Sequence, residues 1–318
     1  MRYGLLSGCL WGLDTVILGI ALAMAPYLGS PETAVLASLA GAFLHDAFCA
    51  VWLFAYMGGK RRLKDTLAAL KTRSGKAVAA AALLGGPLGM SGYVFAIGNI
   101  GAGYTAIISA FYPAFGSLMA VLFLKEKMSL KQVVALLAAL AGVCVMGYAA
   151  AGSDAIGNPI IGVAGALVCL VGWGSEAVIC AWGMRDDAVD NETALHIRGT
   201  TSALAYGLFV IPAFGAWGFT ASVVPSMGTL VIVGAAIAGT TSYLCYYKAI
   251  STIGAARGMA VNISYSAWAV VFGAVILGAQ VTLLQVVCCV VIVVGTVLAA
   301  SDWNELFGRM KKDAQLAE

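Results

Sequence analysis

Charge is what this sequence has least of. Of its 318 residues, 10% are Asp, Glu, Lys or Arg, whereas a soluble domain carries about 25%. That shortfall excludes a soluble globular enzyme, a nucleic-acid-binding module and a disordered chain. Hydrophilic stretches are equally scarce, and no connection between apolar runs is long enough to be a domain. The 8 cysteines form no CxxC or Cys/His spacing. Cys9, Cys49, Cys144, Cys169, Cys180, Cys245, Cys288 and Cys289 fall inside apolar runs, so they read as small helix residues and not as a disulfide framework. No cleavable leader is expected, because the first apolar stretch continues unbroken from Tyr3 to about Ala25.

What remains is apolar: 61% hydrophobic residues, 39 glycines and a mean hydropathy of +0.94. Runs of about 20 residues, enough to span a bilayer, recur from end to end. The fold class expected is an all-α polytopic membrane protein with ten transmembrane helices in two inverted five-helix repeats. The spans fall at about 3–25, 33–58, 77–98, 103–124, 131–150, 159–182, 193–214, 227–250, 256–277 and 281–301. Turn chemistry separates them at Leu28-Gly29-Ser30-Pro31, Gly152-Ser153-Asp154 and Gly157-Asn158-Pro159.

The basic residues orient these spans. With the N-terminus in the cytoplasm, the inner segments receive Arg2, the cluster from Lys60 to Lys76, Lys125, Lys127, Lys131, Arg185, Arg309, Lys311 and Lys312. Lys248 and Arg257 flank a tight inner turn, the outer loops receive none, and Arg198 alone is left within a span. The positive-inside rule then places both ends in the cytoplasm.

The chain also repeats itself. Tyr93–Val134 lies on Tyr246–Val287 without a gap at an offset of 153, matching Tyr93 with Tyr246, Ile100-Gly101-Ala102 with Ile253-Gly254-Ala255, Tyr112 with Tyr265 and Gln132 with Gln285. Trp11-Gly12-Leu13-Asp14 matches Trp173-Gly174-Ser175-Glu176. Five spans per half is an odd number, so the second copy enters the membrane the other way round. The expected units are 1–150, 151–301 and a cytoplasmic tail, 302–318. Inverted repeats of this kind are typical of secondary transporters, with the substrate near the midplane between halves.

Ionisable groups inside a span cost about 2.5–3.5 kcal/mol each on insertion scales, which makes them functional candidates. Asp14, His45, Asp46, Glu176 and Arg198 qualify. Each of the carboxylates Asp14 and Glu176 follows a Trp by three residues, one turn along the same face. Pseudo-symmetry sets Trp11/Asp14 and Trp173/Glu176 facing each other across a central cavity. Tyr243 and Tyr247 share a face of the eighth span with Tyr246 between them. Asn262, Tyr265 and Trp268 step by three along the ninth, opposite the first-half set Ser109, Tyr112 and Phe115. A pocket of Trp and Tyr with one or two carboxylates suits an organic cation, for which a dehydrated cation–π contact is worth about 2 kcal/mol or more. Each ring has a plainer reading as packing or an interfacial anchor, as expected for Trp182, Trp217 and Trp303. Asp46 and Arg198 read first as a structural or gating ion pair, and His45 as a hydrogen-bonded core histidine or a proton carrier.

These residues bring a family into view. Leu5-Leu6-Ser7-Gly8 with Trp11-Gly12-Leu13, His45-Asp46, Gly86-Pro87-Leu88-Gly89-Met90, Phe123-Leu124-Lys125, Gly172-Trp173-Gly174-Ser175-Glu176, Ile197-Arg198 with Thr201-Ser202, Ser242 to Tyr247, and Asn262 with Ser264-Tyr265 and Trp268 resemble the bacterial choline importers of the LicB type, within the drug/metabolite transporter superfamily. The resemblance covers most of the ten-helix region. It implies choline uptake through an aromatic pocket between the halves, in a bacterial inner membrane. Trp11, Trp173, Tyr243, Tyr247, Tyr265 and Trp268 would form the cage, and Glu176 its anionic partner. Asp14 departs from the pattern, which fits either a substrate with more than one positive charge or a proton-coupling site. The competing reading is export of amino acids or cationic drugs, which needs a cation facing the substrate carboxylate, and only Arg198 is available. No nucleophile–base set, metal-ligand spacing or phosphate-binding glycine loop implies an enzyme or a cofactor. The partners expected are therefore the bilayer and a small organic cation.

Overall fold

The computed structural model describes residues 1–28, 31–150, 158–301 and 303. The expected turns at Gly29-Ser30 and Gly152-Ser153-Asp154, and the tail 302–318 apart from Trp303, lie outside the described residues. The described chain is helical, with no strand. Its spans are α1 Arg2–Leu22, α2 Pro31–Gly59, α3 Arg73–Gly101, α4 Tyr104–Leu124, α5 Leu130–Ala150, α6 Pro159–Gly183, α7 Asn191–Ala213, α8 Met227–Ile253, α9 Ala255–Leu277 and α10 Leu283–Ala300.

Local chemistry sets the ends. Asn158 caps α6 by accepting from the Ile160 amide, with Pro159 in the first turn. Asp190 caps α7, Ser226 caps α8, and Thr282 with Gln285 forms a capping box on α10. Where the expected seventh span continues to 214, α7 ends at Ala213. The chain then turns by 119° into a short helix, Trp217–Val223. Two π-helical turns interrupt the spans, Leu84–Leu88 around Pro87 in α3 and Tyr206–Val210 in α7. Proline cannot donate its amide to an α-helical bond, which accounts for the first.

The helices pair as a repeated structure requires. The contact of α1 with α8 recurs as that of α6 with α3, α1 with α9 as α6 with α4, and α2 with α8 as α7 with α3. Two self-matched pairs, α2 with α7 and α5 with α10, lie where the halves meet. The backbone repeats too. Gly101 and Gly254 both have positive φ, 78° and 90°, at the turns before α4 and α9. Breaks inside α4 at Ala110-Phe111 and inside α9 at Ile263-Ser264 share the same offset. The fold is thus two inverted repeats of five helices, with α1 and α6 each packed against the other half.

Candidate functional site

Charged side chains converge at two places inside the bundle, each made by a carboxylate on one helix and a base on the next. In the second half, Arg198 Nε on α7 donates to Glu176 Oε1 on α6 at 2.5 Å. The pair is buried, with Glu176 8% and Arg198 6% exposed. Arg198 Nη1 also lies 3.8 Å from Asp46 Oδ1, and Asp46 Oδ2 accepts from Ser202 Oγ at 2.6 Å. The expected pairing of Asp46 with Arg198 is therefore present as the longer of two contacts, and Glu176 holds the shorter. In the first half, His45 Nε2 on α2 lies 2.9 Å from Asp14 Oδ1 on α1, again buried.

The α3 turn makes room for the second-half pair. A Cβ on Gly85 would fall 1.6 Å from Glu176 Oε2, and one on Gly86 2.1 Å from Ser202 Oγ. No side chain fits between α3 and the carboxylate. At the position matched to Gly86 by the repeat, Gly239 on α8 lies against both His45 and Asp14, 3.0 and 3.1 Å from a built Cβ.

Around these pairs stand the aromatic rings, in two groups. Trp11 meets Tyr243 edge-on at 4.9 Å between centroids and Tyr265 at 6.2 Å. Trp173 stacks on Tyr93 at 5.6 Å and meets Tyr112 edge-on at 5.7 Å, while its Nε1 donates to the Gly85 carbonyl at 3.0 Å. Tyr243 joins the rings to the charges, since the Arg198 guanidinium lies 4.9 Å from its centroid. Trp11, Tyr93, Trp173, Tyr243 and Tyr265 are all partly accessible despite their neighbours.

Asn262 anchors the break in α9. Its Nδ2 donates to the Tyr112 hydroxyl at 3.2 Å, its Oδ1 accepts from Ser7 at 3.0 Å, and Ser242 donates to the Ser7 carbonyl at 2.9 Å. One buried network therefore ties α1, α4, α8 and α9. Tyr247 is 3% exposed and donates to Cys180 Sγ at 3.4 Å, which places it behind the Glu176 pair. Trp268 is partly exposed, pairs with Phe272 one turn along its own helix, and sets its Cβ against Gly12.

The structure brings Trp11, Tyr243 and Tyr265 together, and separately Glu176, Arg198 and Asp46. In the sequence, Tyr93 and Cys180 carry no site role, Ser7 stands only within the resemblance block Leu5-Leu6-Ser7-Gly8, and Gly85 opens Gly85-Gly86-Pro87, a place for bending or close packing. The match of Tyr93 with Tyr246 in the repeat is the available signal for the first, and Cys180 looks like an ordinary small residue of an apolar helix. Among the described residues, no three His, Cys, Asp or Glu side chains converge as a metal would require.

At the basic face, ion pairs join the two halves. Lys60 and Arg62, at the end of α2, reach Glu192 at 2.7 and 2.6 Å, and Arg62 also reaches Asp190 at 2.9 Å. On the same face, Glu126 accepts from the Ala255 and Ala256 amides at the start of α9 at 2.8 and 3.0 Å.

Comparison with known proteins agrees with this architecture. A previously solved crystal structure superimposes with a TM-score of 0.67 over 94% of this chain and 96% of its own, at 16% identity, which is a likeness of fold. Protein LicB of Haemophilus influenzae is 32% identical over 191 residues, 60% of this chain and 63% of that protein's length. The EamA-like transporter family matches residues 2–148 and again 160–301, once for each half. Those two matches cover nearly all of the membrane-spanning region, and the chain belongs to the EamA-like transporter family.

Proposed function

We propose that this transporter imports choline or a related quaternary ammonium cation by alternating access, driven by the membrane potential. The observation that carries the reading is the excess of negative charge beside the rings. Three buried or part-buried carboxylates, Asp14, Asp46 and Glu176, are set against one guanidinium and one imidazole. A quaternary ammonium group donates no hydrogen bond, so it suits ring faces with a carboxylate excess nearby better than a directed polar site. Trp11, Tyr243 and Tyr265 are the rings for the cation, with Trp173 and Tyr112 on the other side, and Asn262, Tyr247 and Trp268 shape the surrounding wall.

The similarity to LicB supports the same direction. Export of amino acids is disfavoured because Arg198 is engaged by Glu176 and Asp46, so its guanidinium is not aimed at a substrate carboxylate. The assignment is transport and not catalysis. Helix pairs rock around the site, within halves that span 1–150 and 151–301. Both chain ends and the tail 302–318 lie in the cytoplasm of a bacterial inner membrane.

Voltage alone can drive the process. One positive charge crossing 100 mV gains about 2.3 kcal/mol, roughly a 50-fold accumulation. The test is uptake of tritiated choline into proteoliposomes under an imposed inside-negative potential, with betaine, arginine and a polyamine as competitors. Saturable uptake that follows the voltage supports the proposal. Transport of arginine or the polyamine with no choline uptake sinks it.

A further inference from the structure

We propose that the basic face of the bundle binds an anionic phospholipid, its phosphate held by Lys127, Lys131 and Arg257 and one acyl chain laid between α5 and α10. A cavity of about 530 Å³ opens on this face, and those three cations line it together with Ser129 and Gln132. Among the described residues, no carboxylate lines it. The nearby Glu126 is already committed to the amides that begin α9. A second cavity of about 560 Å³ adjoins the first and shares Leu130, Lys131 and Trp303 with it. From there its walls are apolar, with Val134 and Ala138 on α5 and Val290 and Val294 on α10. A cationic mouth opening into an apolar trough along two membrane helices has the form of a phospholipid, whereas a free phosphate would leave the trough unused.

Trp303 stands at the junction. Its Nε1 donates to the Leu298 carbonyl at 2.9 Å, and Lys131 Nζ lies 5.4 Å from its ring centroid. Indoles favour this depth in a bilayer, between headgroups and chains. The start of α5 at Leu130 adds the partial positive charge of a helix N-terminus to the same mouth.

The repeat supplies an internal control. The offset of 153 carries Lys127, Lys131 and Arg257 onto Gln280, Leu284 and Tyr104 at the opposite face. The local architecture is kept there, since Ser129 with Gln132 and Thr282 with Gln285 make the same capping bonds. The three cations are therefore no requirement of the fold. They come from two separate connections, before α5 and at the start of α9, yet converge on one cavity. Basic pockets between membrane helices are a known way of holding anionic headgroups.

The test is native mass spectrometry of the purified, delipidated protein with phosphatidylglycerol, phosphatidylcholine or glycerol 3-phosphate added. Phosphatidylglycerol should be retained at least about 10-fold more tightly than phosphatidylcholine. Replacing Lys127, Lys131 and Arg257 together by Gln should weaken it by on the order of 100-fold. Ala138→Phe places a ring in the exposed trough without altering charge, and should weaken phosphatidylglycerol as well. It decides the matter should the triple variant fail to fold. Equal retention of the two lipids, unchanged binding in Ala138→Phe, or glycerol 3-phosphate binding as tightly as the lipid would overturn the proposal.

Discussion

His45 and Arg198 occupy matched places in the two halves, 153 residues apart, and each holds the carboxylate that follows the Trp-Gly pair of the preceding helix. His45 Nε2 lies 2.9 Å from Asp14, and Arg198 Nε lies 2.5 Å from Glu176. The chain has thus built one acid–base pair twice, with one difference of chemistry. Arginine stays charged at any physiological pH, whereas imidazole changes charge near neutrality. One pair holds a permanent cation, whereas the charge of the other depends on the state of an imidazole.

That difference predicts where pH sensitivity resides. At constant voltage, the pH dependence of choline uptake in the parent protein should trace to the Asp14–His45 pair. Asp14→Asn and His45→Gln should each flatten that profile while retaining uptake. A profile that persists in both variants would place the proton elsewhere.

Breaking the Arg198–Glu176 tie should cost stability more than the tie itself contributes. Removing one member of a buried ion pair leaves the other uncompensated, a loss of about 3–5 kcal/mol. Arg198→Ala should accordingly unfold well below the parent protein in detergent. Arg198→Gln combined with Glu176→Gln should recover part of the loss, because the only carboxylate of the group then left without its cation is Asp46, which still accepts from Ser202. Thermal unfolding followed by tryptophan fluorescence measures both. A double variant no more stable than Arg198→Ala would contradict the pairing.

The rings allow a graded test. A dehydrated cation–π contact worth about 2 kcal/mol corresponds to roughly a 30-fold change in affinity. Trp11→Ala should raise the KM for choline by that order, and Trp11→Phe by less. Trp268→Ala should have a smaller effect, since its ring pairs with Phe272 on its own helix and not with Trp11 or Tyr243. Equal effects of Trp11→Ala and Trp268→Ala would mean that the cage is drawn wrongly.

The fold is largely legible in the sequence, because bilayer thickness fixes span length. The repeat was legible because Tyr93, Tyr112 and Gln132 have chemically distinct matches at one offset. The charged partners were harder to read. Asp14 and Glu176 differ by 162 residues, whereas His45 and Arg198 differ by 153, so one gapless alignment does not reveal them as the same pair. Asp46 also lies 152 residues before Arg198, close to the repeat offset, but choice between acceptors depends on side-chain reach. That reach is set by the α3 turn, where Gly85 leaves space for the Glu176 carboxylate. The bend after Ala213 was missed for a simpler reason: hydropathy measures apolar length and is blind to direction.

The ties at the basic face should govern rate and not fold. Lys60 and Arg62 hold Glu192 and Asp190 across the two halves at partly exposed positions, where solvent screening leaves each ion pair about 0–1 kcal/mol. Arg62→Ala should therefore leave thermal stability nearly unchanged. Opening toward this face requires those contacts to part, so the variant should shift the resting population toward exposure there. Accessibility of the site helices to a membrane-impermeant thiol reagent, applied from this face alone, measures the shift. Acid should mimic the substitution, and the sign can be worked out from Asp190. Partial burial pushes its carboxyl up, but hydrogen bonds from Thr193 and Arg62 outweigh burial and hold it below the ordinary carboxylate value. A lowered folded-state value means that the contact is fully present above the ordinary carboxylate range and is lost as pH falls through the lowered one. Labelling should accordingly stay flat from neutral pH down to the ordinary carboxylate range and rise only below it. Arg62→Ala should already sit at the acid level at neutral pH. A rise in the parent protein between pH 5 and 7 would assign the closure to a histidine and not to this network.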